Sequence, residues 1–160
     1  MANTQSWRTI VASSLDWEQA HATLDGAVAK MPAPLRGKRP DGLPHSVWEL
    51  LDHIRRVQHD LLEFCRNPDY SEPHFPDDYW PPSPAPKSEA EWEQCIGAIH
   101  ADASALAAFT TDSAGDLTAK IPHGTGQTYL RTVLVAVDHA AYHVGQIILT
   151  RQLLGAWPAQ

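Results

Sequence analysis

His139 and His143 stand four residues apart inside the longest apolar stretch of the chain, in the run Asp138-His139-Ala140-Ala141-Tyr142-His143-Val144-Gly145-Gln146-Ile147. On an α-helix, side chains at that spacing lie one above the other with roughly 5 to 6 Å between Cβ atoms, so both imidazoles can reach one ion. Catalytic sites of the zinc type use three protein ligands and keep a position open for water or substrate. His53 is the candidate third ligand. It lies midway along a second helical pattern, at the border of the apolar stripe formed by Leu50, Leu51, Ile54, Val57 and Leu61, where an antiparallel packing would bring it level with the middle of the last helix. His59, six residues further on and about 240° round, points elsewhere.

On a helical wheel centred on His139, the residues Thr132, His143, Gln146 and Thr150 cluster within about 40°, flanked by Val135, Ala136, Ile147, Leu153 and Leu154. Burying such a polar stripe without partners costs on the order of 1 to 3 kcal/mol per group, a cost that a shared divalent ion removes. The opposite side, with Leu130, Leu134, Val137, Val144 and Ile148, is apolar too, so this helix is enclosed by a bundle or packs against a second subunit. The competing reading is a hydrogen-bonded or surface pair of histidines. His45, His74 and His123 fall in loops or beside helix starts, and His21 and His100 read as ordinary helix positions.

Other chemistries fit less well. The chain has no Gly-rich phosphate loop, no Gly-x-Ser-x-Gly and no His-Glu-x-x-His, because Ala-Ala-Tyr separates the two histidines. Di-iron bundles need Glu-x-x-His motifs and further inward glutamates, which the last helix lacks. A mononuclear site is what survives, with a metal-bound water or thiol as the expected nucleophile. Three imidazoles suit zinc or nickel, with iron and copper as alternatives.

The positioning elements are helical. Segment one is expected over Trp17 to Met31, with Ser13, Ser14 and Asp16 as possible N-caps and Pro32 and Pro34 as terminators. Segment two opens on the capping box Ser46-Val47-Trp48-Glu49 and runs to Cys65 or Arg66. Segment three begins with a second box, Ser88-Glu89-Ala90-Glu91, and ends near Thr110; segment four covers Thr128 to Leu154, with Gly155 as C-cap and Pro158 beyond it. The residues from 67 to 87 hold seven prolines together with His74, Phe75, Tyr79 and Trp80, which predicts an ordered loop draped over one end of the bundle. Asp112 to Gln127 is polar, and Leu117 to Ile121 could form a short strand. Pocket walls are expected from His45, Tyr142, Gln146, Phe75, Tyr79 and Trp80.

At 160 residues and 43% apolar composition the chain reads as one all-α domain. A net charge of −7 without Lys or Arg runs argues against nucleic acid. No continuous apolar run approaches the roughly 18 to 20 residues of a membrane span, and the opening Met-Ala-Asn-Thr-Gln-Ser-Trp-Arg has no signal-peptide core, so a cytoplasmic protein with a small-molecule substrate is expected. Cys65 and Cys95 lack metal or redox spacing and are expected as buried, reduced residues.

The stretch Pro44-His45-Ser46-Val47-Trp48-Glu49-Leu50-Leu51-Asp52-His53-Ile54 and the run from His139 to Ile147, with Arg151 and Leu154-Gly155, resemble the DinB-like family of four-helix metalloproteins. The resemblance covers the whole length and the helix order. It implies an up-up-down-down four-helix bundle, a divalent metal held by His53, His139 and His143, and frequent homodimers. Members with assigned activity include S-transferases and isomerases that use low-molecular-weight thiols such as bacillithiol or mycothiol. The expected function is therefore a mononuclear metalloenzyme activating a thiol or water, as a thiol-dependent S-transferase or a hydrolase, with a low-molecular-weight thiol as a possible cosubstrate. The alternative is a non-catalytic metal-binding or stress-response bundle whose histidines are structural.

Overall fold

The computed structural model describes residues 4–18, 20–112 and 114–157 and is all-helical, with no strand among those residues. The helices are α1 (Thr4–Ser13), α2 (Leu24–Val28), α3 (Val47–Arg66), α4 (Glu89–Thr111) and α5 (Tyr129–Leu153), with 3-10 turns at Ala33–Leu35 and Asp77–Tyr79. Pro158, expected to follow the last helix, lies outside the described residues. Leu117 to Ile121 does not form a strand: Lys120 makes an isolated antiparallel bridge with Thr128, beside backbone hydrogen bonds from Tyr129 to Ala119 and from Leu130 to Leu117.

The capping chemistry explains where the long helices begin. At α3 the Ser46 hydroxyl accepts from the Glu49 amide at 3.2 Å while the Glu49 carboxylate accepts from the Ser46 amide at 2.8 Å, a complete box. The box at α4 is half formed. Ser88 accepts from the Glu91 amide at 3.2 Å, but the Glu91 carboxylate turns to the Lys87 amide. Thr128 caps α5 by accepting from the Arg131 amide at 3.2 Å, and Gly155 follows that helix at φ +65°.

The N-terminal region departs from expectation. Among the described residues of Trp17 to Met31 only Leu24–Val28 is helical, started by Thr23, whose hydroxyl accepts from the Gly26 amide. The helix instead comes earlier, in α1. Ser13 and Ser14, read from sequence as N-caps, close α1 by donating their hydroxyls back to the Thr9 and Val11 carbonyls at 2.8 and 2.7 Å. A serine hydroxyl can serve either end of a helix, and the apolar residues Val11 and Leu15, packed against the core, decide which. The Arg8 guanidinium fastens α1 to the end of α4 by donating to the Thr110 and Asp112 carbonyls at 3.0 and 2.8 Å, and to that of Gly115.

The core has two parts along the bundle. At one end Leu62 of α3, Leu106 of α4, and Val133 and Ala136 of α5 meet Val11 and Leu15. At the other, Trp48, Leu51 and Ile54 of α3 pack with Trp92 and Ile99 of α4, Val144 and Ile147 of α5, and Ala27 and Val28 of α2. The N-terminal halves of α3 and α4 therefore share one end with the C-terminal half of α5. Thus α3 and α4 run parallel, and α5 runs antiparallel to both. The chain from α1 to α2 follows α5, from Leu15 beside Ala136 to Val28 beside Ile147. The order of directions is one up, two down, one up, which differs from the two-up, two-down order that the resemblance implied.

Parallel neighbours need a crossover. To join the end of α3 to the start of α4, the Pro-rich segment must travel back along a helix of 20 residues, about 30 Å at 1.5 Å per residue. It lies along α3, not over one end of the bundle. The Tyr70 and Tyr79 hydroxyls donate to Asp60 at 2.7 and 2.9 Å, Arg56 donates to the Asp78 carbonyl at 2.9 Å, and Ser46 donates to the Pro84 carbonyl at 2.5 Å. Near the end of this path Gly37 is obligatory, because a Cβ there would sit 2.4 Å from that of Ala85.

By length and a mean hydropathy of 1.3, α5 is apolar enough to cross a bilayer. Among the polar residues that interrupt it are His139, His143 and Gln146, which belong to the site.

Candidate metal centre

The antiparallel run of α5 against α3 puts His139 and His143 opposite His53. Their ligand nitrogens all lie within 4.8 Å of one another, and the Nε2 atoms of His53 and His139 are 3.1 Å apart. Two imidazole nitrogens on one ion, each at about 2.0 to 2.1 Å, stand about 3 to 3.5 Å apart, so the observed separation fits a shared ion. The ring centroids are 4.4 to 4.8 Å apart with interplanar angles of 59 to 84°, so the rings converge by their edges and do not stack.

Two of the rings are held in the tautomer a metal needs. His53 donates from Nδ1 to the Tyr79 carbonyl at 2.8 Å, and His143 donates from Nδ1 to Oε1 of Gln146 at 2.7 Å. With the proton fixed on Nδ1, the Nε2 lone pair of each ring is left for a ligand. The Gln146 amide is itself oriented, because its nitrogen donates to the Tyr142 hydroxyl at 3.1 Å. Among the described residues His139 has no such anchor. Replacing the acceptor in Gln146→Leu frees the His143 ring, and metal affinity should fall about 10- to 100-fold in a competition titration with a chelator, the usual effect of removing an outer partner.

Burial keeps the cluster uncharged. Desolvation, then the mutual repulsion of the three rings, lowers His139 to about 3. Desolvation likewise lowers His143 to about 4, against the opposing effect of its hydrogen bond to Gln146, and lowers His53 against that of its hydrogen bond to the Tyr79 carbonyl. These folded values lie below the ordinary value near 6.5, so between the two the unfolded chain binds more protons than the folded one and stability rises with pH. The metal-free protein should therefore lose stability as pH falls from about 6.5 towards 3 to 4, measured as a falling urea midpoint. Metal binding, which needs neutral imidazole, should by contrast lose less affinity on acidification below about pH 6.5 than an exposed three-histidine site would, because burial lowers all three rings.

Trp80 forms one wall. Its ring stacks on His53 at 3.9 Å and 1°, and on His45 at 3.9 Å and 10°. Of the residues expected to line a pocket, Trp80, His45, Tyr142 and Gln146 do surround the cluster, with the Tyr142 ring edge-on to His143 at 4.9 Å. Tyr79 contributes its backbone carbonyl, while its hydroxyl is turned to Asp60. Phe75 is 73% exposed and touches the Tyr79 ring, so it does not line the site. The Tyr79 carbonyl had no signal in the sequence: every residue carries one, and only the path of the crossover brings this one to His53.

The remaining histidines are engaged elsewhere. His59 pairs with Asp102 at 3.1 Å, His100 with Asp25 at 2.9 Å, and His123 donates to the Phe64 carbonyl. His74 lies exposed beside Asp77, and His21 is exposed in the loop before α2. Cys65 and Cys95 are buried free thiols, and burial pushes both up to about 12, so neither is a nucleophile at neutral pH.

Fold and site together define an all-α bundle with a three-histidine cluster capable of holding a metal ion. Residues 16–147 match the family model of the DinB superfamily, and the chain belongs to that superfamily. Neither the curated proteins nor the solved structures gave a match.

Proposed function

We propose that the protein is a mononuclear metalloenzyme whose divalent ion is held by His53, His139 and His143, and that it activates a thiol or a water molecule for S-transfer or hydrolysis. The observation that carries this reading is the convergence of three neutral imidazoles, two of them fixed with the proton on Nδ1. When bound, the ion supplies a Lewis-acid centre that lowers the pKa of a thiol or water at an open position. The chain supplies the rest. Tyr79 and Gln146 hold the rings, Trp80 covers His53, and the partly exposed face at His139 and Tyr142 leaves room for substrate.

The rival reading is a closed structural site. Against it stands the ligand count: among the described residues no carboxylate or cysteine joins the three histidines, and structural zinc sites close with four ligands. Cobalt substitution separates the two. An open site should change its visible spectrum on addition of azide or a small thiol such as cysteine, and an unchanged spectrum would favour the structural reading. Zinc or nickel suits three imidazoles best.

We further read the protein as a cytoplasmic homodimer, supported by its reduced buried cysteines and by Leu134, Leu149 and Leu153, which lie exposed along one side of α5. Sedimentation should give the mass of a dimer for the wild type and a shift towards monomer for Leu149→Glu.

A further inference from the structure

A second concave site lies on the other side of α3 from the histidines. It is a cleft of about 420 Å³ between α3, α4 and the returning crossover, and none of the three histidines lines it. That volume falls in the range of small-ligand pockets. Its walls are apolar in part, from Trp48, Pro81, Pro82, Ala85 and Ala98, and polar in part, from Ser83 and Gln94, and three cations line it: Arg55, Arg56 and Lys87.

The charges are not all spent. Asp52, 4% exposed, accepts from Nε of Arg55 at 2.7 Å and from Nε of Arg56 at 2.6 Å. Arg56 also donates through Nη1 to the Asp78 carbonyl. Among the described residues, Arg55 has no carboxylate partner beyond the Asp52 it shares, and Lys87 forms no ion pair. Among the described residues Glu91 is the other carboxylate in the lining. Three cations against two carboxylates leave one positive charge, in a chain whose net charge is −7.

We propose that this cleft binds a small organic carboxylate. The outer edge of the Arg55 guanidinium and the Lys87 ammonium take the carboxylate, and the proline and tryptophan walls take its apolar body. A guanidinium edge matches a carboxylate in a bidentate, planar contact. The single excess charge matches a monoanion and not a phosphate dianion. Asp52 acts as the fixed post: by holding both Nε atoms it sets the orientation of the two guanidinium planes. The site does not depend on the histidine centre.

The test is calorimetric titration of the full chain with benzoate, beside its neutral isostere benzamide and inorganic phosphate. Saturable benzoate binding is expected, weaker by about tenfold or more for benzamide and in Lys87→Gln and Arg55→Gln. Lys87 is exposed and unpaired, so its replacement leaves the fold intact; Ala98→Phe, which fills the cleft without altering charge, should also abolish binding. The same titration of His139→Ala should give unchanged benzoate affinity. Binding that is lost in His139→Ala but kept in Lys87→Gln would assign benzoate to the histidine centre and overturn the proposal. Phosphate displacing benzoate equally well would overturn the carboxylate assignment, and no saturable binding of benzoate would overturn both.

Discussion

His139→Ala will emerge from metal-replete expression without a stoichiometric ion, and its metal affinity will be reduced by at least about 100-fold, the upper end of what loss of an outer partner alone causes. The reason is geometric. Two ligands, His53 and His143, remain on two different helices, and neither is prearranged against the other by a third donor. The folded state of the metal-free chain should hardly notice. His139 is partly exposed, and its removal costs the metal-free chain one hydrogen bond, the 3.1 Å contact to Nε2 of His53 on α3, worth about 1 kcal/mol. Elemental analysis and a urea titration, run on the same preparations, separate a binding defect from a folding defect. Loss of metal together with loss of fold would mean that His139 acts structurally.

A second replacement should have a large effect of the opposite kind. Arg151 is 2% exposed near the end of α5, and its guanidinium donates to the Ala27, Ala29 and Ala156 carbonyls. It ties α2, a helix of only five residues, to α5. In Arg151→Met the apolar stem is retained but three carbonyls lose their donor. At about 1 to 3 kcal/mol for the buried Ala27 carbonyl, and less for the part-buried carbonyls of Ala29 and Ala156, which water can reach, the loss should be about 2 to 4 kcal/mol. Chemical denaturation followed by circular dichroism measures it. Metal affinity in the surviving native fraction should be unchanged, because Arg151 touches none of the three histidines. A cost below about 1 kcal/mol would show that water replaces the guanidinium at these carbonyls.

The three long helices were legible because their signals are local and redundant. Ser46 with Glu49, Ser88 with Glu91, and Gly155 after Leu154 mark boundaries that the structure places within a residue or two. The histidine pair was legible for the same reason, since spacing on one helix fixes relative position. His53 needed one further assumption, an antiparallel neighbour, which α3 and α5 satisfy.

The first helix was not legible. Trp17 to Met31 is rich in alanine but offers few large apolar residues to bury, whereas Val11 and Leu15 reach a waiting core at the far end of the bundle. Tertiary packing outweighed propensity there. The path of the Pro-rich crossover was hidden because it follows from the parallel arrangement of α3 and α4, a property no single segment encodes. That path is also why Tyr79 serves the site through its carbonyl and Phe75 does not serve it at all.

Metal-edge X-ray absorption on the reconstituted protein tests the central claim most directly. Three imidazole nitrogens at about 2.0 to 2.1 Å, with any further ligand a light oxygen or nitrogen atom, is the predicted first shell. In thiol-free buffer, sulfur in that shell, or fewer than three imidazoles, would contradict it.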